Sequence, residues 1–165
     1  MKLIGIVGRK DSGKTHLVVR LVGEFGSRGL SVSTIKHTHH HDIEIDAAGK
    51  DSHRHRAAGA TEVVLASDTQ WVLFHRASSP PSLPELLQRL APCDLVIVEG
   101  YKQLQELPRI EVFRGSGSDM PLARDDAGIG AIACEPDRVL PAATRHLRRL
   151  DLDDTRSIAD FILSH

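Results

Sequence analysis

Gly8-Arg9-Lys10-Asp11-Ser12-Gly13-Lys14-Thr15 fits the phosphate-loop pattern G-x-x-x-x-G-K-[ST] at each fixed position. A triphosphate needs its charge offset where little water reaches. Successive backbone N–H groups of such a loop form an anion-binding nest. The helix that follows adds about half a positive charge at its first turn. Lys14 can reach the β- and γ-phosphates, and the Thr15 hydroxyl can bind Mg²⁺. Gly8 and Gly13 let backbone approach the phosphates and take φ values closed to other residues. Arg9 and Lys10 are extra cations, able to meet a phosphate or to stay solvated. Asp11, Ser12 and His16 complete the stretch that would wrap the ligand.

Two more groups follow strand-like runs. After the continuous apolar run Leu95-Val96-Ile97-Val98 comes Glu99-Gly100-Tyr101-Lys102. Ligands of open α/β sheets bind beyond the carboxyl ends of the strands. Glu99 is therefore a candidate Mg²⁺ carboxylate and, with Lys14, a candidate catalytic group. After the run 31–36 comes a polar stretch holding six of the ten histidines, between His37 and His55. Asp46 and Asp51 are candidates for an outer Mg²⁺ carboxylate. His37, Lys50, Arg54, Arg56 and Lys102 are candidates to bind a second, anionic ligand. The density of imidazoles also admits a Zn²⁺ or Ni²⁺ site through His39, His40 or His41. That alternative would make the chain a metallochaperone GTPase. Arg114 and Arg124 flank Gly115-Ser116-Gly117 and admit a third reading, an arginine lid of a small-molecule kinase.

These residues need a scaffold. Leu3–Val7 reads as a buried strand. Lys14–Arg28 reads as an amphipathic helix, with Leu17, Val18, Leu21, Val22 and Phe25 at helical spacing and Gly29 as its stop. Strands are expected at 31–36, 62–66, 70–75, 95–98, 109–113 and 129–134. Helices are expected at 51–58, 83–90 and 155–163, the last capped by Asp153 or Asp154. Ser67-Asp68-Thr69 would turn a hairpin. Asp94, ahead of its strand, is expected to cap or end the preceding loop. Alternating strands and helices argue an α/β fold: a mostly parallel sheet flanked by helices, with a β-hairpin insertion. At 165 residues the chain is expected to form one domain over 1–165.

Composition narrows the classes. With 21 Lys and Arg against 22 Asp and Glu, no nucleic-acid footprint is expected. No apolar run approaches the ~20 residues of a membrane helix, and no signal peptide is expected. Cys93 and Cys134 are far apart and read as buried free thiols, which fits a reducing cytoplasm.

Several motifs together resemble the molybdopterin-guanine dinucleotide biosynthesis protein B family. They are Gly8–Thr15, Lys36-His37-Thr38-His39-His40, the run from Gly49-Lys50-Asp51-Ser52-His53-Arg54-His55-Arg56 to Ala60, and Leu95–Lys102. Pro108–Val112 and Ile129–Ala133 look like further family elements. The resemblance implies a P-loop NTPase of the SIMIBI kind and a homodimer that binds GTP and hydrolyses it weakly. It also implies a partner, the guanylyltransferase (A protein) that joins GMP to molybdopterin, with molybdopterin itself as a possible ligand. The guanine-reading N-K-x-D motif is missing. Asp137 or Glu135, after the strand at 129–134, could read guanine instead. The hairpin at 62–75 exposes strand edges and is expected to take part in the subunit contact.

Overall fold

A computed structural model describes residues 1–38, 49–101, 107–115 and 119–165. Asp46, Lys102 and His39–His41 lie outside these residues. In chain order the elements are β1 (Lys2–Val7), α1 (Lys14–Ser27), β2 (Val32–Lys36), α2 (Asp51–Ala57), β3 (Glu62–Ala66), β4 (Trp71–His75), α3 (Leu83–Leu87), β5 (Leu95–Glu99), β6 (Arg109–Val112), β7 (Ile129–Cys134), β8 (Arg148–Asp151) and α4 (Thr155–Ser164). They fall into two compact units, one of Met1–Thr38 with Leu90–His165, the other of His39–Arg89.

The first unit is built on a six-stranded sheet of order β2-β5-β1-β6-β7-β8. Each neighbouring pair is parallel. β1 and β5 lie inside the sheet and are apolar along nearly their whole length, as strands covered on both faces must be. Ile6, Ile97, Ile110 and Val112 turn one way and bury against Leu17, Leu21 and Phe25 of α1 and Ile158 and Ile162 of α4. Val7, Phe113, Ile129, Ile132 and Cys134 form a second cluster with Ala123. Each fully buried Leu, Ile or Phe contributes about 1.5–3 kcal/mol. This packing, more than helix propensity, holds α1 in place.

β8 is not foreseen in the sequence. It adds an edge beside β7, and only Leu150 of its four residues is buried. Of the two candidate caps for α4, Asp154 is the one used: its carboxylate accepts from the Ser157 N–H at 3.0 Å. The Ser157 side chain and backbone hold the Asp154 carboxyl below its ordinary value of 3.8. A depressed carboxyl stabilises the fold above its unfolded pKa, and that contribution disappears as pH falls through the folded value. The melting temperature of Asp154→Ala should therefore lie below wild type at pH 7, and the gap should close at a pH well below the ordinary carboxyl value. Thermal melts at the two pH values check this. Asp94 accepts from the Ser31 N–H at 2.8 Å and the Ser31 hydroxyl at 2.6 Å, joining the entries of β2 and β5. Cys134 is buried, but Cys93 is only half-buried, against expectation.

The second unit holds the foreseen hairpin as a separate two-stranded antiparallel sheet, with Val63 opposite Phe74. A serine capping box starts α3: Ser82 and Glu85 exchange side-chain and backbone hydrogen bonds. The helix ends at Leu87, three residues before the expected Leu90.

Candidate functional site

The phosphate loop connects β1, a central strand, to α1. Gly8 has φ 151°, and a Cβ there would meet the Val112 carbonyl oxygen at 2.5 Å and Ser12 Oγ at 2.7 Å. Only glycine fits so close to β6. Asp11 takes φ 59°, and Gly13 caps α1 in the left-handed region with no side-chain cap on the first turn. Ser12 Oγ is buried and has no hydrogen-bond partner among the described residues. The Lys14 ammonium curls back over the loop and donates to the Arg9 carbonyl at 2.6 Å. Lys10 and His16 are exposed.

The parallel register sets the next contacts. Glu99 lies level with Lys36 on one side and Ile6 on the other, at the carboxyl edge of the sheet. The Thr15 hydroxyl donates to Glu99 Oε1 at 2.7 Å. Two residues placed 84 positions apart in the sequence thus meet. The Lys36 ammonium stands 3.3 Å from the Thr15 hydroxyl and 3.4 Å from the same Glu99 oxygen. The sequence reading passed over Lys36. Its position as the last residue of a strand beside Glu99's strand was the available signal. A hydroxyl and a carboxylate are hard oxygen donors, the set that suits Mg²⁺. His37 follows β2; its N–H donates to the Glu99 carbonyl at 2.9 Å, and its ring packs 4.6 Å from that of Tyr101.

Beyond the loop a cavity of about 550 Å³ is lined by Phe113, Gly115, Asp119, Met120, Glu135, Asp137, Arg138, Val139, Leu140 and Pro141. A smaller one, about 120 Å³, is lined by Arg9, Lys10, Asp11, Ser12 and Arg114 together with Phe113, Gly115 and Asp119. The three shared residues make one wall common to both. The Arg9 guanidinium reaches across and donates to the Met120 carbonyl at 3.1 Å. Glu111, fully buried in β6, holds the same wall from behind: its carboxylate accepts from the Leu122 and Ala123 N–H groups, both at 2.8 Å. Burial pushes the Glu111 carboxyl up, and these two N–H bonds pull against that rise. Glu135 is paired with Arg138, which also donates to the Gly115 carbonyl at 2.6 Å. Asp137 lines the large cavity.

The sequence matches the family model for molybdopterin guanine dinucleotide synthesis protein B over residues 3–135. The chain belongs to this family. It is similar to the molybdopterin-guanine dinucleotide biosynthesis adapter protein of Haemophilus influenzae, 39% identical over 166 residues, covering 97% of this chain and 86% of that protein. The adapter protein of the same name from Escherichia coli is 34% identical over 169 residues, covering 98% and 91%. A crystal structure of molybdopterin-guanine biosynthesis protein B superposes with a TM-score of 0.75 at 29% identity, covering 98% of this chain and 97% of that one. The expected fold is borne out, and the chain is a family adapter of molybdopterin-guanine dinucleotide biosynthesis.

Nothing in the comparisons supports a nickel or zinc carrier. Among the described residues no group of three or more His, Cys, Asp or Glu could hold a metal ion. No helix of the described residues is long and apolar enough to cross a membrane. Of the two arginines in the kinase reading, Arg114 lines the small cavity, and Arg124 is paired with Asp125 at 2.6 Å. Three of the anion candidates, Lys50, Arg54 and Arg56, lie in the second unit. Lys50 precedes α2, and Arg54 faces Asp51 at 3.7 Å in solvent. The Arg56 guanidinium stands 4.5 Å above the Phe74 ring.

Proposed function

We propose that the chain binds GTP with Mg²⁺ through Gly8–Thr15 and His16, hydrolyses it slowly, and acts beside the guanylyltransferase that builds the dinucleotide. The observation that carries this reading is the wall shared by the two cavities. One cavity is bounded by the phosphate loop and the other by acidic and apolar groups, so a nucleotide would lie with phosphates in the first and base in the second. The orphaned Ser12 hydroxyl supports it, since a phosphate oxygen would give that buried donor an acceptor. Thr15 and Glu99 would hold Mg²⁺. When bound, the ion neutralises charge on the phosphates. Lys14 would offset charge that builds on the β- and γ-phosphates during hydrolysis. No general base stands out beside the loop among the described residues, which fits slow turnover that a partner accelerates.

In the base cavity the Asp137 carboxylate would accept from guanine N1–H and the N2 amino group. Adenine lacks that donor pair. Glu135 is occupied by Arg138, which favours Asp137 as the reader. Wild type should prefer GTP over ATP in a calorimetric titration, and Asp137→Ala should lose about tenfold or more of that preference. An unchanged preference would show that another residue reads the base. GTP hydrolysis measured with and without the guanylyltransferase tests the adapter role.

Lys50, Arg54 and Arg56 of the second unit are proposed to meet a second anionic ligand, with molybdopterin a candidate; His37 and Lys102 are proposed as anion contacts of the first unit. We also propose a single functional domain over 1–165, a cytoplasmic location and a homodimer. The exposed Val64, Leu65 and Trp71 on the hairpin support the dimer, because such side chains are usually covered.

A further inference from the structure

We infer that Lys36 is a built-in cation of the Thr15–Glu99 corner, and that it sets how strongly nucleotide binding depends on a divalent ion. The inference rests on the nucleotide site proposed above. Thr15 Oγ1, Glu99 Oε1 and Lys36 Nζ form a closed triangle with sides of 2.7, 3.3 and 3.4 Å. Parallel pairing places Lys36 level with Glu99, so two of the three residues start from neighbouring strands, and Thr15 joins them from the first turn of α1. The Glu99 side chain is only 10% exposed, whereas that of Lys36 is 59% exposed. A nearly buried carboxylate needs a positive partner, and among the described residues Lys36 supplies it. The Thr15 hydroxyl is thereby held against Glu99, ready for a cation.

An ammonium and a divalent ion at the same Glu99 oxygen oppose each other, because two positive charges repel at this range. Binding the ion therefore favours a Lys36 that has moved off Glu99. Its exposed four-carbon stem lets it swing toward the loop, where its charge faces the phosphates. Lys36 therefore opposes the ion at Glu99 and substitutes for it on the phosphates. Removing the charge should have two effects. The ion should bind more readily, and nucleotide without the ion should bind less well. Both widen the gap between the two conditions. Lys36 is a positioning residue here, acting through Thr15 and Glu99.

The test is a titration with a fluorescent GTP analogue in excess Mg²⁺ and again in EDTA, for wild type, Lys36→Met, Lys36→Gln and Lys36→Arg. The readout is the ratio of the two dissociation constants. The ratio should rise about three- to tenfold in the Met and Gln variants. It should stay within about twofold of wild type in the Arg variant, which keeps the charge. An unchanged ratio in both neutral variants would overturn the inference and leave the nucleotide site standing. An equal rise in the Arg variant would also overturn it, since charge would not be the cause. A wild type that binds the analogue in neither condition would overturn the nucleotide site itself, and the inference with it.

Discussion

Lys14→Ala is expected to lower the affinity for GTP about a hundredfold or more while leaving the fold intact. Lys14 opens α1 and donates to the Arg9 carbonyl at 2.6 Å, so its ammonium already lies over the loop. On a nucleotide the same group would make charge-assisted bonds to two phosphates. Each such bond contributes about 1.5–3 kcal/mol, and two together exceed the roughly 2.8 kcal/mol that a hundredfold change requires. The Lys14 bond to the Arg9 carbonyl lies at the surface, and losing that bond costs little stability. Lys14→Arg should not restore binding, because a planar guanidinium does not fit a cradle shaped for a compact ammonium. Calorimetric titration with GTP, beside circular dichroism to verify folding, checks the prediction. A variant that binds within threefold of wild type would remove Lys14 from the site.

The largest loss of stability is expected from Asp126→Ala. Arg109 points from β6 into the sheet's interior, and its side chain has no exposure. Asp126 meets it with two parallel bonds, both 2.7 Å, and also accepts from the Gly128 N–H at 3.1 Å. Space for the arginine stem comes from Gly5 on β1, where a Cβ would lie 2.7 Å from Arg109 Cγ. Removing the carboxylate leaves a buried guanidinium without its main counter-charge, which costs about 3–5 kcal/mol. Urea unfolding should show this as a lower midpoint. Because the pair ties β6 to the approach to β7, the loss should also appear as earlier unfolding of the larger cavity's wall. A change below about 1 kcal/mol would mean that Arg109 finds another partner.

The phosphate loop was legible because its chemistry is local: eight consecutive residues, a strand before and a helix after. The sheet was legible for a similar reason, since Leu95–Val98 and Ile129–Cys134 are apolar without a break. What escaped the sequence reading depends on distant partners. Arg109 and Glu111 stand in the strand Arg-Ile-Glu-Val, where charged residues would be placed facing solvent. Instead both are buried, one by Asp126 and the other by two backbone N–H groups. β8 escaped because Arg-Arg-Leu-Asp has one inward residue and no period to detect. Leu90 was counted into α3 on spacing alone, although the capped helix closes at Leu87. The larger cavity was half legible. Asp137 and Glu135 follow a strand end, but Phe113, Met120 and Val139 join them only through the fold.

Helix α1 is finished at one end and unfinished at the other. Its far end is stapled: Arg28 bonds Glu24 and Asp160, while Arg20 donates to the Leu152 carbonyl at 2.5 Å, so α4 and its approach grip it. Its near end begins at Gly13 with no side chain to satisfy the first turn. Local opening should therefore run along a gradient, easy at Lys14 and hard at Arg28. An anion seated there would complete the helix as a cap does, which makes the ligand a part of the folded structure as well as its cargo.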